Sequence, residues 1–356
     1  MSRARLAVAL CAALVAGCAS ARYPQPERRA ALIEVPTADG WTIALHHFPP
    51  ARGAPARRHP VILCHGIMSN RFTWDLDADV SLATWLARRG FDVYALDLRG
   101  GGEALRPGWF DPQGYTYRFD DYVAHDVPAA LAAVSARAGG RPVHWVGHSM
   151  GGMVMYAWLQ GGEQARVRSF TAVGSPPLLS DHIPAMTASM ELLPIAELFF
   201  DELPTGTLST LGAAWADQDA IAPLHILWNP DNLGPGAARR LAAHGTANLS
   251  AGVLRQLVDS AEAGRLQSAD GAVDYTAGLA KLRAPVLFIA GVLDHLAPPT
   301  TVMQGFRLAG SPIKRIAVMG RAHGQRRDYG HLDLAMGAAA PDEVFPVILD
   351  WLVARD

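Results

Sequence analysis

Apolar residues recur along this chain at two periods. Short runs such as Val61 to Cys64, Asp92 to Leu96, Val143 to Val146, Phe170 to Val173, Val286 to Ala290 and Ile316 to Val318 are bounded by Gly, Pro or charged residues. That is the pattern of buried strands. Between them lie stretches with helical spacing: Ser81 to Arg89, stopped by Gly90; Asp120 to Ala138, stopped by Gly139-Gly140; Met150 to Leu159; and Glu343 to Val353. Pro128 interrupts the second stretch, and a residue without an N–H predicts a kink or a new first turn there. Leu32 to Val35 and Trp41 to His47 alternate around Asp39-Gly40, which predicts a hairpin. Apolar strands alternating with helices imply an α/β fold, with a mostly parallel sheet covered on both faces.

Two regions break this rhythm. Residues 176–280 open on Pro176-Pro177 and turn rich in helix formers, with Met186, Met190, Leu192, Leu193, Ile195, Phe199 and Phe200 among them. They read as a helical cap inserted over the sheet's carboxyl edge, dividing a core made of 31–175 and 281–356. At the N-terminus, Arg3 and Arg5 precede the apolar run Leu6 to Ala16, too short to span a bilayer, which ends in Val15-Ala16-Gly17-Cys18. This is the form of a bacterial lipobox: a signal peptide over 1–17, Cys18 as the lipidated first residue, and a polar linker over 18–30. The alternative is an ordinary secretory signal cut after Ala19 or Ala21, giving a secreted or periplasmic protein. The lipobox reading places the protein in the cell envelope, anchored to a membrane through acyl chains. Ala19 favours the outer membrane.

Composition narrows the chemistry. The chain has 356 residues, half of them apolar, and 31 basic against 33 acidic residues leave a net charge of −2 without a basic stripe. Nucleic acid is therefore not an expected partner. Of three cysteines, Cys11 leaves with the signal and Cys18 carries lipid, so Cys64 stands alone in an apolar strand and no intrachain disulfide is expected. Neither C-x-x-C nor H-E-x-x-H occurs, so no metal and no cofactor are expected. Gly100-Gly101-Gly102 follows a strand but matches no phosphate-binding pattern, and reads as a turn.

The segment Val143 to Gly152 contains Gly147-His148-Ser149-Met150-Gly151, a G-x-S-x-G between an apolar strand and a helix. A sharp strand-to-helix turn needs small flanking residues and leaves Ser149 at its tip beside a helix N-terminus, as a nucleophile requires. A bare hydroxyl attacks poorly without a base, and the base needs an acid to orient it. Asp294 follows the strand at 286–290 and sits where active-site groups collect, past a strand's carboxyl end. His323 and His331 both follow the strand at 316–318, and spacing alone does not choose between them. His46, His47, His59 and His244 read as surface residues. His65-Gly66 ends the strand at 61–64, so backbone N–H groups of Ile67 and Met150 are the candidate oxyanion hole.

These segments resemble the α/β-hydrolases, and within them the acid lipases of the gastric and lysosomal type, from about residue 60 to the C-terminus. The resemblance is carried by Leu63-Cys64-His65-Gly66-Ile67, by Phe119-Asp120-Asp121-Tyr122 with Asp126-Val127-Pro128-Ala129, by Val143 to Gly151, and by Tyr329-Gly330-His331-Leu332-Asp333-Leu334 followed by Ala340 to Phe345. In that family a His-Leu-Asp segment before a Pro-Glu-Val helix carries the catalytic histidine, which implies His331. Three departures stand out: Met150 replaces the family's usual glutamine, the region 97–108 is glycine-rich in its own way, and the cap does not align. The resemblance and the apolar cap together imply a lipophilic ester substrate. The same three groups would also serve an acyltransferase, or a hydrolase of amides or lactones. A membrane-tethered binding protein on this scaffold is the non-enzymatic alternative.

Overall fold

The computed structural model describes residues 30–106, 114–161, 163–178, 201–217 and 226–356. The expected signal peptide, Cys18, and the apolar cluster from Met186 to Phe200 lie outside them.

Eight strands form one sheet among the described residues: β1 (Ala31–Pro36), β2 (Thr42–Phe48), β3 (Val61–Cys64), β4 (Val93–Asp97), β5 (Val143–His148), β6 (Val167–Val173), β7 (Val286–Gly291) and β8 (Lys314–Met319), in spatial order β1-β2-β4-β3-β5-β6-β7-β8. The β1–β2 and β2–β4 pairs are antiparallel and all others parallel. The hairpin turns on Gly40, whose φ of 87° favours glycine. Strands β3, β4, β5 and β7 are buried at every position, as a sheet sheltered on both faces requires.

Alternation along these strands divides the core in two. Ile62, Trp145, Phe170 and Phe288 meet helices α2 (Val127–Arg137), α3 (Met150–Trp158) and α6 (Pro299–Leu308). Leu63, Val146 and Leu287 face the other way, against α1 (Leu82–Ala87) and α7 (Phe345–Val353). Fully burying each large apolar side chain here contributes about 1.5–3 kcal/mol. Ser81 caps α1 by accepting from the Thr84 N–H at 3.1 Å. The interruption at Pro128 takes the form of a π-helical turn over Tyr122–Asp126, after which α2 begins with Pro128 in its first turn. The closing helix is divided too, into Ala340–Glu343 and α7.

Residues 201–217 and 226–280 add no strand to this sheet. They hold α4 (Thr205–Gly212), α5 (Ala251–Glu262) and a small antiparallel pair, Glu202–Leu203 with Leu249–Ser250. No helix among the described residues is long and apolar enough to cross a membrane.

One sequence expectation is corrected. His46, read as a surface residue, is buried, with Nε2 2.9 Å from Asp97 Oδ2. Its strand lies inside the sheet, between β1 and β4, and the buried Asp97 carboxylate takes it as a partner. His47, His59 and His244 are half-buried.

Candidate active site

The turn from β5 into α3 places Ser149 in a conformation that side chains seldom adopt, φ 52° and ψ −122°. The flanking glycines are required by contact. A Cβ on Gly147 would lie 2.2 Å from Gly151 O, and one on Gly151 would lie 2.5 Å from His65 O. The Ser149 N–H donates to Val173 O at 2.9 Å, tying the turn to the end of β6. Ser149 remains half-exposed while both its neighbours are buried. Its hydroxyl makes no hydrogen bond to a described residue.

Asp294 and His331 come together at this edge. His331 Nδ1 lies 2.9 Å from Asp294 Oδ2, with both side chains buried. The other carboxylate oxygen accepts from the backbone N–H groups of Leu296 (2.9 Å) and Ala297 (2.7 Å). Burial pushes the Asp294 carboxyl up, but the adjoining imidazole and these two N–H groups outweigh it and hold the acid below its usual range. An ionised Asp294 can only accept, so Nδ1 of His331 carries the hydrogen and Nε2 is left as the acceptor. His323 stands exposed in the turn Arg321–His323 and takes no part.

Two contacts fix this pair beside Ser149. Gly174, next to the Val173 carbonyl that receives the Ser149 N–H, faces both groups: a Cβ there would sit 3.1 Å from Asp294 Oδ2 and 3.3 Å from His331 Nδ1. His148, the residue before the serine, donates from Nε2 to His331 O at 3.0 Å, its ring centroid 4.6 Å from that of His331. Burial, reinforced by the charge His331 would carry, lowers the His148 pKa to about 3, so it stays neutral. Nothing in the local sequence marks His148 for this role, because its partner lies 183 residues away.

The loop after β3 covers the serine from the other side. A Cβ on Gly66 would approach Ser149 Cβ to 3.1 Å. His65 Nε2 accepts from the Leu98 N–H (3.1 Å), so its Nδ1 carries the hydrogen and donates to Gly66 O (2.7 Å). Burial lowers the pKa of His65, which keeps this tautomer neutral. Because a trans peptide points its C=O and N–H in opposite directions, fixing the Gly66 carbonyl also fixes the Ile67 N–H. That N–H has no acceptor among the described residues. The Met150 N–H, at the first position of α3, is one of the donors a helix leaves unpaired. Met68, which follows Ile67, holds a φ of 53°, and its carbonyl accepts from Ala247 N at 2.9 Å. The 244–247 segment thereby braces the loop, helped by Ser69 Oγ on Gly245 O (2.9 Å) and Asn70 Nδ2 on His244 O (2.8 Å).

The remaining expectations concern ions and thiols. Cys64 is a buried free thiol. Asp39, Asp121 and His125 approach closely enough to suggest a cation site, but Asp39 is already held by both terminal nitrogens of Arg99. The glycines at 100 and 102 have φ of 75° and 51° and curl the chain under Tyr117 and the Asp97 carboxylate.

The chain is similar to known proteins in sequence over part of its length and in fold. The chain is 30% identical to triacylglycerol lipase 2 of Arabidopsis thaliana over 160 residues, 42% of this chain and 38% of that protein. It is 30% identical to gastric triacylglycerol lipase of Homo sapiens over 136 residues, 36% of this chain and 33% of that one. The matched part is thus well under half of each relative. In structure it is similar to a thermophilic esterase from Thermogutta terrifontis, with a TM-score of 0.59 at 19% identity over 91% of this chain and 99% of the other. The profile of the alpha/beta hydrolase fold family matches residues 59–310. With that match over most of its length, and an eight-stranded sheet turning into a helix at Gly-His-Ser-Met-Gly, the chain belongs to the alpha/beta hydrolase fold family.

Proposed function

We propose that this chain hydrolyses carboxylic esters, with Ser149 as nucleophile, His331 as general base and Asp294 as its orienting acid. The observation that carries this reading is the buried Asp294–His331 pair at the sheet edge where the strained Ser149 turn emerges. Ser149 Oγ attacks the acyl carbon as its proton passes to His331 Nε2. The carbonyl oxygen, now anionic, is received by the N–H groups of Ile67 and Met150. Collapse expels the alcohol, which takes the proton back from His331, and leaves an acyl-serine. Water then repeats the sequence and frees the acid. The Ser149–His331 hydrogen bond is the one contact of this set left unmade, and such contacts commonly close only in the substrate complex. An amide hydrolase or acyltransferase would use the same groups. The similarity to triacylglycerol lipases favours the ester.

A lipophilic acyl group fits the similarity to triacylglycerol lipases. It also fits Leu208 on α4 and Trp215 in the turn that follows it, 62% and 56% exposed. A lipid anchor on Cys18 would hold the enzyme at the cell envelope, beside such substrates.

A fluorophosphonate probe tests the nucleophile: labelling of the wild type that disappears in Ser149→Ala is expected, and equal labelling of the two would remove the proposal. Hydrolysis of p-nitrophenyl esters of rising chain length should improve beyond acetate. A steady decline with length would exclude a lipophilic substrate. Asp294→Asn should lower kcat by about 10³–10⁴-fold, the loss expected when the base is held in the wrong tautomer.

A further inference from the structure

Two residues after His331 lies a second buried carboxylate that the mechanism does not use. Asp333 is fully buried and pairs with no cation among the described residues. Its Oδ1 accepts from Asn229 N (3.1 Å) and Gly330 N (3.0 Å); its Oδ2 accepts from Asn232 Nδ2 (2.9 Å) and Gly330 N (3.1 Å). Asn229 and Asn232 belong to the inserted region, and both reach back. Asn229 Nδ2 donates to Asp328 O at 2.8 Å. Asn232, itself buried, accepts at its backbone oxygen from Ala338 N (2.7 Å) and at Oδ1 from Ala339 N (3.3 Å). Between them the Leu332 N–H donates to Leu227 O at 2.8 Å. The segment carrying His331 is therefore stitched on both sides of the histidine to residues 227–232.

The same segment is tied to the acid. Leu293 N donates to Tyr329 O at 2.8 Å, one residue before Asp294. No slack exists at the crossing: a Cβ on Gly330 would lie 2.9 Å from Asp333 Oδ1 and 3.0 Å from Asn229 N. A carboxylate buried at this cost, with only neutral donors around it, is justified where geometry must be held.

We propose that Asp333 and Asn232 are positioning residues for His331, a clamp through which the inserted region sets the place of the catalytic base. This rests on the serine-hydrolase reading above. Loosening the clamp moves the imidazole relative to Ser149 while leaving the acyl-binding surface in place, so the loss falls on kcat and spares KM. Burial pushes the Asp333 carboxyl up to about 6, so the assay belongs at pH 8, where it is ionised.

The test uses the full chain, with active sites counted by fluorophosphonate titration. Asp333→Asn puts an amide nitrogen against the Asn232 amide. A fall in kcat of about 10- to 100-fold is expected, with KM changed by less than about threefold. Exchanging the pair, Asn232→Asp with Asp333→Asn, restores an acceptor opposite the donor, and kcat should return to within about threefold of wild type. The idea is overturned if titrated Asp333→Asn keeps kcat within about twofold of wild type, if the exchange rescues nothing, or if the whole loss is in KM. Should Asp333→Asn fail to fold, Asn232→Ala decides: a kcat loss of about threefold or more supports the clamp, and anything less removes it. A wild type that the probe does not label would instead sink the serine-hydrolase reading itself.

Discussion

Ser149 sits at a positive φ that glycine tolerates and serine does not, and such conformations cost on the order of 1–3 kcal/mol. The Ser149 hydroxyl, the proposed nucleophile, is thus held against the stability of the fold. Ser149→Ala removes the hydroxyl and keeps the strain; Ser149→Gly removes both. Urea unfolding should find the glycine variant more stable than the alanine variant by about 1 kcal/mol, even after the glycine's larger unfolded-state entropy. An alanine variant equal to or above the glycine variant would show that the turn carries no strain. At this scale the sequence was readable wherever the chemistry is local. The G-x-S-x-G pattern marked the strand-to-helix turn at Ser149, and a place after a strand marked Asp294 as a candidate. His331 could not be told from His323 by spacing, because what separates them is a partner 37 residues back. His148 and Asp333 were silent for the same reason: an ordinary His or Asp becomes a positioning group only through contacts that the fold supplies.

At the scale of elements, the strands were legible because burial on both faces makes them continuous apolar runs. Their ends were not, since β5 runs on through Gly147 and His148 into the turn itself. The π-helical turn before Pro128 was visible only as an interruption. Its use is visible in Asp126, at its end, which takes Arg99 Nη2 at 2.7 Å while Arg99 Nη1 reaches Asp39 at the β1–β2 turn. Arg99 is buried and stacks its guanidinium 5.1 Å from the Trp41 ring. One side chain therefore joins the hairpin, the β4 exit loop and the start of α2. Arg99→Met keeps the bulk and strands the Asp126 charge, so a stability loss of about 3–5 kcal/mol is expected by chemical denaturation. A loss under about 1 kcal/mol would show that Asp126 discards its charge without cost.

For the whole molecule, the alternation of strands and helices announced the layered α/β architecture, and where that alternation breaks, residues 201–217 and 226–280 add no strand to the main sheet. The uses of that inserted region were hidden from the sequence. Its 244–247 segment braces the loop bearing Ile67, and its 227–232 segment holds the loop bearing His331. An inserted region with both attachments works as part of the frame, and its removal should abolish activity toward even the smallest soluble ester. Excision of 179–226 by short-linker replacement, which spares both segments, should instead retain hydrolysis of p-nitrophenyl acetate. Loss of activity in that variant, if folded, would place a needed group in the excised stretch.

The separation of the site along the chain has a further consequence, for how the protein is made. Ile67, Ser149, Asp294 and His331 sit on segments that follow strands paired in parallel, and the His148–His331 bond closes a loop of 183 residues. Contacts of such range form late, after local helices and the hairpin. If the proposed mechanism holds, the nascent chain gains a working nucleophile only once nearly all of it has been synthesised. On refolding from urea, competence for fluorophosphonate labelling should trail the far-UV circular dichroism signal by at least about threefold in rate.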